Sequence, residues 1–168
     1  MTLSLHAACA PQLLQNLKAL SGFITKAQDN ATARGFDVNV LLQGRLAPDM
    51  HPFIRQVQMT ADHAKFTLAR LGGVDAPSFP DTETTVEQLQ ERIAKTIAFV
   101  ESVPAANVDG AVDREIAFKA GPMELKFKGG EYLTRWALPN FYFHFTTAYA
   151  ILRANGVPLG KLDFLGAR

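Results

Sequence analysis

This chain of 168 residues lacks several features that would place it in other protein classes. Cys9 is its only cysteine, so no intramolecular disulfide can form and a secreted, disulfide-stabilised scaffold is not expected. Seventeen basic and 16 acidic residues leave a net charge of +1. So small a net charge gives no electrostatic reason to expect nucleic acid or an anionic membrane as a partner. We therefore expect neither.

Long hydrophobic runs are also missing. No window approaches the roughly 18 consecutive apolar residues that suggest a membrane-spanning helix. Residues 3–14 are interrupted by polar side chains and a proline, which argues against a signal peptide. Apolar residues make up 48% and charged residues 20% of the chain, a composition typical of globular proteins. We expect a single domain over residues 1–168, located in the cytoplasm.

Complete catalytic motifs are absent as well. Residues 156–161, GVPLGK, resemble a phosphate-binding loop but are one residue short, and Leu162 stands where a Ser or Thr would bind magnesium. No serine has the turn residues of a nucleophile elbow around it. The motifs therefore identify no reaction, and any functional prediction must come from individual side chains.

Four stretches carry apolar residues at spacings of three and four, which predicts four helices. We place them near residues 11–34 (or from Leu5), 49–71, 84–102 and 131–155. Asp49 is the expected N-cap of the second helix, and Thr84 with Glu87 matches a capping box for the third. Pro139 is expected to interrupt the fourth. The residues predicted to be buried in the first three helices are Leu13, Leu14, Leu17, Leu20, Phe23, Ile24, Met50, Ile54, Val57, Ala61, Ala64, Leu68, Leu71, Val86, Leu89, Ile93, Ile97 and Val100.

Between residues 114 and 128 the period changes from helical to alternating. Ile116 and Phe118 alternate with charged residues before a Gly-Pro turn, and Leu125 and Phe127 do so after it. This alternation predicts a β-hairpin with one apolar face. Together the patterns predict an all-α, antiparallel up-down four-helix bundle with a small β-hairpin inserted before the last helix. Sites in such bundles are built in the core from side chains on facing helices.

The polar candidates lie on the second and fourth predicted helices. His144 stands within the most aromatic part of the chain, and Asn140 lies four residues before it on the same face. Gln56 and His63 are seven apart and share one flank of the second helix. His144 is expected to be either a core imidazole or part of the wall of a pocket. His51, at a helix start, is expected to be solvated.

Three motifs make the whole chain similar to a known family. These are RLAPDM at 45–50, the Gln-containing helix after it, and the C-terminal pattern LPNFYFH…TAYAILR.NGV.LGK.D.LG. The chain resembles an uncharacterised bacterial domain-of-unknown-function family within the DinB/YfiT-like superfamily of four-helix bundles. The resemblance implies an up-down bundle, often homodimeric. In better-studied members, one His on the second helix and a His-x-x-x-His pair on the fourth bind a divalent metal, and some are thiol-dependent transferases or isomerases.

This sequence departs from that metal-binding pattern. His144 corresponds to the second histidine of the pair, Asn140 stands where the first would be, and Gln56 is the approximate counterpart on the second helix. His51 and His63 remain alternatives for that last position. The resemblance also points the Asn140 and His144 side of the fourth helix at the second helix, so we expect His144 to face the cleft beside Asn140 and Gln56. Amide oxygens are poor ligands for zinc or nickel. The resemblance therefore implies a vestigial metal site at His144, Asn140 and Gln56, which leaves room for a weakly bound divalent metal at most.

Two functional classes remain open. The first is a small-ligand-binding or stress-associated module that uses an aromatic cleft. The second is an enzyme of the transferase or hydrolase class, in which His144 acts in the cleft with or without a divalent metal. The absence of a second strong acid, base or nucleophile beside His144 favours the first class. No ligand or substrate is specified by the sequence.

Overall fold

The computed structural model describes residues 4–167. Four long helices, several short helical turns and one hairpin make up this part of the chain. In order they are α1 (Leu5–Arg34), α2 (Asn39–Leu42), α3 (Phe53–Gly72), α4 (Val86–Ser102), α5 (Ala105–Asp109), β1 (Glu115–Ala120), β2 (Met123–Lys128), α6 (Gly129–Glu131), a π-helical segment (Tyr132–Ala137), α7 (Leu138–Ala154) and α8 (Lys161–Phe164).

The predicted class, an all-α four-helix bundle with a small hairpin before its last helix, is confirmed. The bundle helices are α1, α3, α4 and α7, and β1 pairs with β2 in antiparallel register. α3 packs against α7 and α4, and α1 packs against α4 and α7. The cleft between α3 and α7 is therefore the place where the two helices that carry the polar candidates meet.

Helix directions follow from the side-chain contacts. α3 runs antiparallel to α7, and α1 antiparallel to α4. α1 runs parallel to α7, since Asn16 contacts Tyr142 and Arg34 contacts Asn155, and α3 runs parallel to α4. The order is therefore up-down-down-up, so α3 and α4 are parallel neighbours, whereas the up-down bundle expected from the sequence would make them antiparallel. Parallel neighbours need a long return connection, and residues 73–85 provide it. An extended chain of that length reaches about 40 Å, more than the roughly 30 Å length of a 20-residue helix such as α3.

Two predicted helix starts are wrong by a few residues. α3 begins at Phe53 rather than at Asp49, with Pro52 as an extended N-cap. The cause is local, because a residue that precedes proline disfavours the helical conformation, and His51 is that residue. α4 begins at Val86, and its capping box uses Thr85 and Gln88, one residue later than predicted.

Pro139 does not break the fourth helix as predicted. Proline has no N–H to offer the carbonyl four residues earlier, so an ordinary helix would lose a hydrogen bond there. The preceding segment instead widens into a π-helical turn, in which the Leu138 N–H donates to the Leu133 carbonyl. Pro139 then falls in the first turn of α7, where its missing donor costs little. The backbone stays helical from Gly129 to Ala154.

Most of the predicted core is confirmed. All of the residues predicted to be buried in the first three helices are buried except Leu14, Met50 and Ile97, which are half-buried. The fourth helix adds Phe141, Phe145, Ala148, Ile151 and Leu152 to the same core. None of the helices between residues 4 and 167 combines the length and hydrophobicity that a membrane span requires.

An aromatic cluster fastens the hairpin to the bundle. The Arg70 guanidinium on α3 lies 3.8 Å from the centre of the Phe118 ring on β1 and 4.9 Å from that of Phe66. Arg70 also donates to the Tyr132 hydroxyl at 3.2 Å. Phe118 in turn packs edge-on against Trp136, at 5.7 Å between ring centres. A cation–π contact and ring packing therefore hold this otherwise exposed hairpin.

A polar candidate site between α3 and α7

His144 and Gln56 are hydrogen-bonded across the cleft. The Nδ1 atom of His144 lies 2.8 Å from the Oε1 atom of Gln56. The Gln56 amide nitrogen donates to the backbone carbonyl of His51 at 3.2 Å, which fixes the amide so that its oxygen faces His144. Because Oε1 can only accept, Nδ1 of His144 must carry the proton. Its Nε2 atom is then a bare acceptor.

His63 completes a pair of imidazoles. Its ring stacks on that of His144, with 5.3 Å between ring centres and 13° between the planes. His144 Nε2 and both ring nitrogens of His63 have no hydrogen-bond partner among the residues the structure describes. Arg92 Nε is the one fully buried side-chain nitrogen or oxygen that lacks a partner there, so the unpaired imidazole nitrogens reach solvent.

Both imidazoles are neutral at physiological pH. Burial, followed by the positive charge of Arg70, lowers the pKa of His63 from 6.5 to about 4. The pKa of His144 is also lowered from 6.5 to about 4, mainly by burial and then by His63, His51 and Arg55. Burial disfavours the charged form of an imidazole, and nearby cations add to that effect. The site therefore presents lone pairs rather than positive charge.

The remaining candidate, Asn140, is hydrogen-bonded within its own helix. The side-chain amide nitrogen of Asn140 donates to the carbonyl of Trp136, one helical turn back, at 2.7 Å. In the described chain no hydrogen bond joins Asn140 to His144, Gln56 or His63, so its expected place in the constellation is not seen. His51 is exposed, as predicted. Phe143, which the sequence left unassigned, is 58% exposed, and its ring centre lies 5.1 Å from that of His144.

The residues of the cleft do not fit the three-imidazole metal centre that the resemblance implies. Metal-binding lone pairs lie in the plane of the imidazole ring, and two nearly parallel stacked rings do not direct them to one point. Gln56 already accepts a hydrogen bond from the Nδ1–H of His144, and the Asn140 amide is hydrogen-bonded to its own helix. Structural and catalytic zinc sites use three or four converging ligands. Within residues 4–167, no group of three or more His, Cys, Asp or Glu side chains is arranged to hold a metal ion.

Four grooves formed by the described residues lie away from this cleft. They have volumes between about 280 and 800 Å³, and none of them is lined by His144, His63, Gln56 or Asn140. The widest, about 800 Å³, lies between α1 and the C-terminal segment. The cleft between α3 and α7 offers unpaired, accessible ring nitrogens, a chemistry that groove volume alone does not supply. Its ligand must then be small or only partly enclosed.

Sequence reasoning missed a buried charge network around Arg92. This side chain on α4 is 2% exposed, and its guanidinium bonds Asp62 on α3 together with Asp81 and Glu83 of the 73–85 connection at 2.9–3.0 Å. Burial alone would raise the pKa of Glu83, but the hydrogen bond from Arg92 leaves it below its usual value. The signal was present, because Arg92 falls within the apolar stripe of α4 next to Ile93.

The fold and cleft define a class, the DinB-like four-helix bundles. A crystal structure of a DinB family member protein from Shewanella denitrificans is similar to this chain, with 40% sequence identity and a TM-score of 0.86 over 95% of this chain and 90% of that one. The family model described as "Domain of unknown function (DUF1993)" matches residues 5–165, so this chain belongs to that family. No curated protein matches the sequence.

Proposed function

We propose that this protein is a small-ligand-binding module whose ligand docks on the imidazole pair between α3 and α7. One observation carries the proposal. The Gln56 amide fixes the Nδ1–H form of His144 and leaves Nε2 as an accessible, unpaired acceptor. Polar groups with unmet hydrogen-bonding capacity at a partly buried position are the usual anchors of small-molecule sites. The π-helical segment supports this placement, because such turns are frequent near functional sites.

The enzyme alternative is less well supported by the same geometry. A general base works best when its pKa lies near the operating pH. With a pKa of about 4, His144 is a weak base. Among the described residues, no hydrogen bond or ion pair links a carboxylate or thiol to either ring. His144 is therefore proposed as a hydrogen-bonding anchor.

Protein-observed NMR with a library of neutral fragments tests the proposal. Binding fragments are expected to shift the imidazole nitrogen signals of His144 and His63. The substitution His144→Gln should remove those shifts while the fold persists, and the matched substitution His6→Gln, on α1, should leave them unchanged. A library that moves no signal of either imidazole, or that binds equally well after His144→Gln, would overturn the proposal.

We also propose that the metal site implied by the resemblance is vestigial because Gln56 and Asn140 have replaced imidazoles. The double substitution Gln56→His with Asn140→His would restore three imidazoles. Zinc titration by calorimetry should then show a gain in affinity over the unmodified protein. Equal zinc affinity for both proteins would contradict this explanation.

The homodimer implied by the resemblance is a separate proposal. Light scattering is expected to give about twice the 18.4 kDa mass of one chain. A mass equal to one chain across the accessible concentration range would reject it.

A further inference from the structure

The hydrogen-bond donors and acceptors that remain open in the cleft restrict the kind of ligand that it can bind. Each neutral imidazole has one N–H donor and one bare acceptor. In His144 the donor is already used by Gln56, so only an acceptor remains. His63 has both its nitrogens free of partners among the described residues. The pair therefore offers two acceptor lone pairs and the one N–H donor of His63, and a ligand that supplies two donors and one acceptor complements it.

A primary amide carries the complementary set of groups. It offers two N–H donors and one carbonyl acceptor. The nearly parallel rings of His63 and His144 have their centres 5.3 Å apart, so both rings belong to one small site.

The charges around the cleft exclude the two ionic classes of ligand. Arg55 and Arg70 both disfavour protonation of the imidazoles, and they would repel a ligand cation in the same way. Neither arginine is free to bind an anion. Arg55 is paired with Asp81 and bonded to Gln58, and Arg70 is held among aromatic rings. An anion would also face the Nε2 lone pair of His144.

An apolar surface lies beside the acceptors. Phe143 is 58% exposed and its ring is nearly perpendicular to that of His144, at 83°. Large exposed aromatic side chains next to unpaired polar groups are typical of ligand contacts, because the ring supplies contact area and the polar groups supply orientation. A flat, apolar ligand body has a packing partner here.

We propose that the cleft selects uncharged ligands that carry a terminal –NH₂, of the primary amide class, on a flat apolar body. An amide N–H donates to Nε2 of His144, the remaining groups of the amide face the open nitrogens of His63, and the apolar body packs on Phe143. This inference rests on the proposed function, since it names the class of ligand for the same site.

A matched set of three probes at pH 7.5 tests the inference. Benzamide carries the –NH₂, N,N-dimethylbenzamide keeps its shape without any N–H, and benzoate replaces the amide by an anion. Titrations are followed by the imidazole nitrogen signals of His63 and His144. Benzamide is expected to shift both, and the other two probes should bind at least roughly tenfold more weakly, because neither supplies an N–H donor to the open acceptor nitrogens.

Substitutions separate a ligand contact from a structural effect. His63→Phe keeps a flat ring in the stack but removes its acceptor, and it should weaken benzamide binding while the His144 signal still responds. His6→Phe is the matched control and should bind benzamide normally. Equal binding of N,N-dimethylbenzamide, tighter binding of benzoate, or unchanged benzamide binding after His63→Phe would each overturn the inference.

The outcome distinguishes this inference from the proposed function. If all three probes are silent while fragments from the neutral library still shift His144, the ligand class is wrong and the binding site stands. If the library is silent too, both fail.

Discussion

The orientation of the Gln56 amide determines the chemistry of the cleft at the scale of single residues. Because its nitrogen is held by the His51 carbonyl, its oxygen faces His144 and fixes the tautomer. Replacing Gln56 by Leu would release Nδ1 and allow either tautomer. Benzamide binding is then expected to weaken although Gln56 does not touch the proposed ligand. An unchanged affinity in the NMR titration would show that the tautomer is set by another contact.

The two imidazoles predict a pH dependence of stability. Their pKa values are about 4 in the folded protein and 6.5 in the unfolded chain. Between these values the unfolded chain binds more protons, so stability falls as pH falls. The free energy of unfolding should be fully retained above about pH 6.5, decrease down to about pH 4, and show no further contribution from these groups below that.

Urea denaturation between pH 7.5 and 4.5 measures this effect. The double substitution His63→Gln with His144→Gln should flatten the pH dependence in that interval. Glu83, whose pKa lies below its usual value, contributes at lower pH and is common to both proteins. Parallel pH profiles for the two proteins would contradict the role given to the imidazoles.

Leu68 tests the packing between α3 and its neighbours. Its side chain is fully buried in the core. Leu68→Ala should lower the free energy of unfolding by about 2–5 kcal/mol, because transfer and cavity terms add. Leu162→Ala, at a residue that is 47% exposed, is the control and should change stability by no more than about 0.5 kcal/mol. Similar denaturation midpoints for the two variants would mean that Leu68 does not pack as the structure shows.

At the scale of elements, the start of α4 depends on one hydroxyl. The Thr85 hydroxyl oxygen accepts a hydrogen bond from the Gln88 N–H at 3.3 Å. Thr85→Ala should cost about 1 kcal/mol of stability, the usual value of an N-cap. Thr84→Ala, at the position indicated by the sequence pattern, should cost clearly less. If Thr84→Ala lowered the melting temperature more than Thr85→Ala, the N-cap would be Thr84, as the sequence pattern predicted.

The hairpin depends on Arg70 in a way that hydrogen exchange can measure. Arg70→Met keeps much of the side-chain length but removes the cation over Phe118, a contact worth about 0.5–2 kcal/mol. Amides of β1 and β2 should then exchange faster, while those of α3 and α4 stay protected. Arg135→Met removes an exposed ion pair and is the control. Equal exchange of the hairpin in both variants would show that Arg70 does not hold it.

Helical periodicity predicted the four long elements and nearly all of their buried faces, because burial of one face repeats along the chain. Element starts were less accurate, since they depend on contacts such as the Pro52 ring after His51. The cleft was predicted in part. Spacing placed Asn140 and His144 on one side of their helix, and the family resemblance pointed that side at Gln56. The stacking of His63 and the separate hydrogen bond of Asn140 arise from side-chain rotamers that neither spacing nor resemblance encodes.

At the scale of the whole molecule, the bundle, hairpin and crossover are tied to one core. Trp136 reports on the junction of the hairpin with α7, and far-ultraviolet circular dichroism reports on all helices. We propose that residues 4–167 unfold as a single domain, so the two signals should give the same transition midpoint in urea. Separate midpoints would show that the hairpin region and the bundle unfold independently.

The ion pairs of Arg92 also affect the stability of the whole molecule. They fix the 73–85 connection, which returns the chain along the length of α3. Removing Arg92 leaves the largely buried Glu83 carboxylate without its cation, and losing the partner of a buried charge is costly. Asp62 and Asp81 keep their ion pairs with Lys65 and Arg55. Arg92→Met is therefore expected to destabilise the protein more than Lys95→Met, at an exposed residue of the same helix. Comparable melting temperatures for the two variants would contradict this expectation.

The π-helical segment also sets how the helical residues before it are rotated relative to those after it. An α-helix turns by 100° per residue, so the extra residue in the wide turn rotates everything before it relative to everything after it. With that rotation Tyr132 faces Arg70 while His144, further along, faces Gln56. Deleting one residue from the segment would convert it to α-helical geometry. The hairpin and the His144 ring could then no longer both pack against α3.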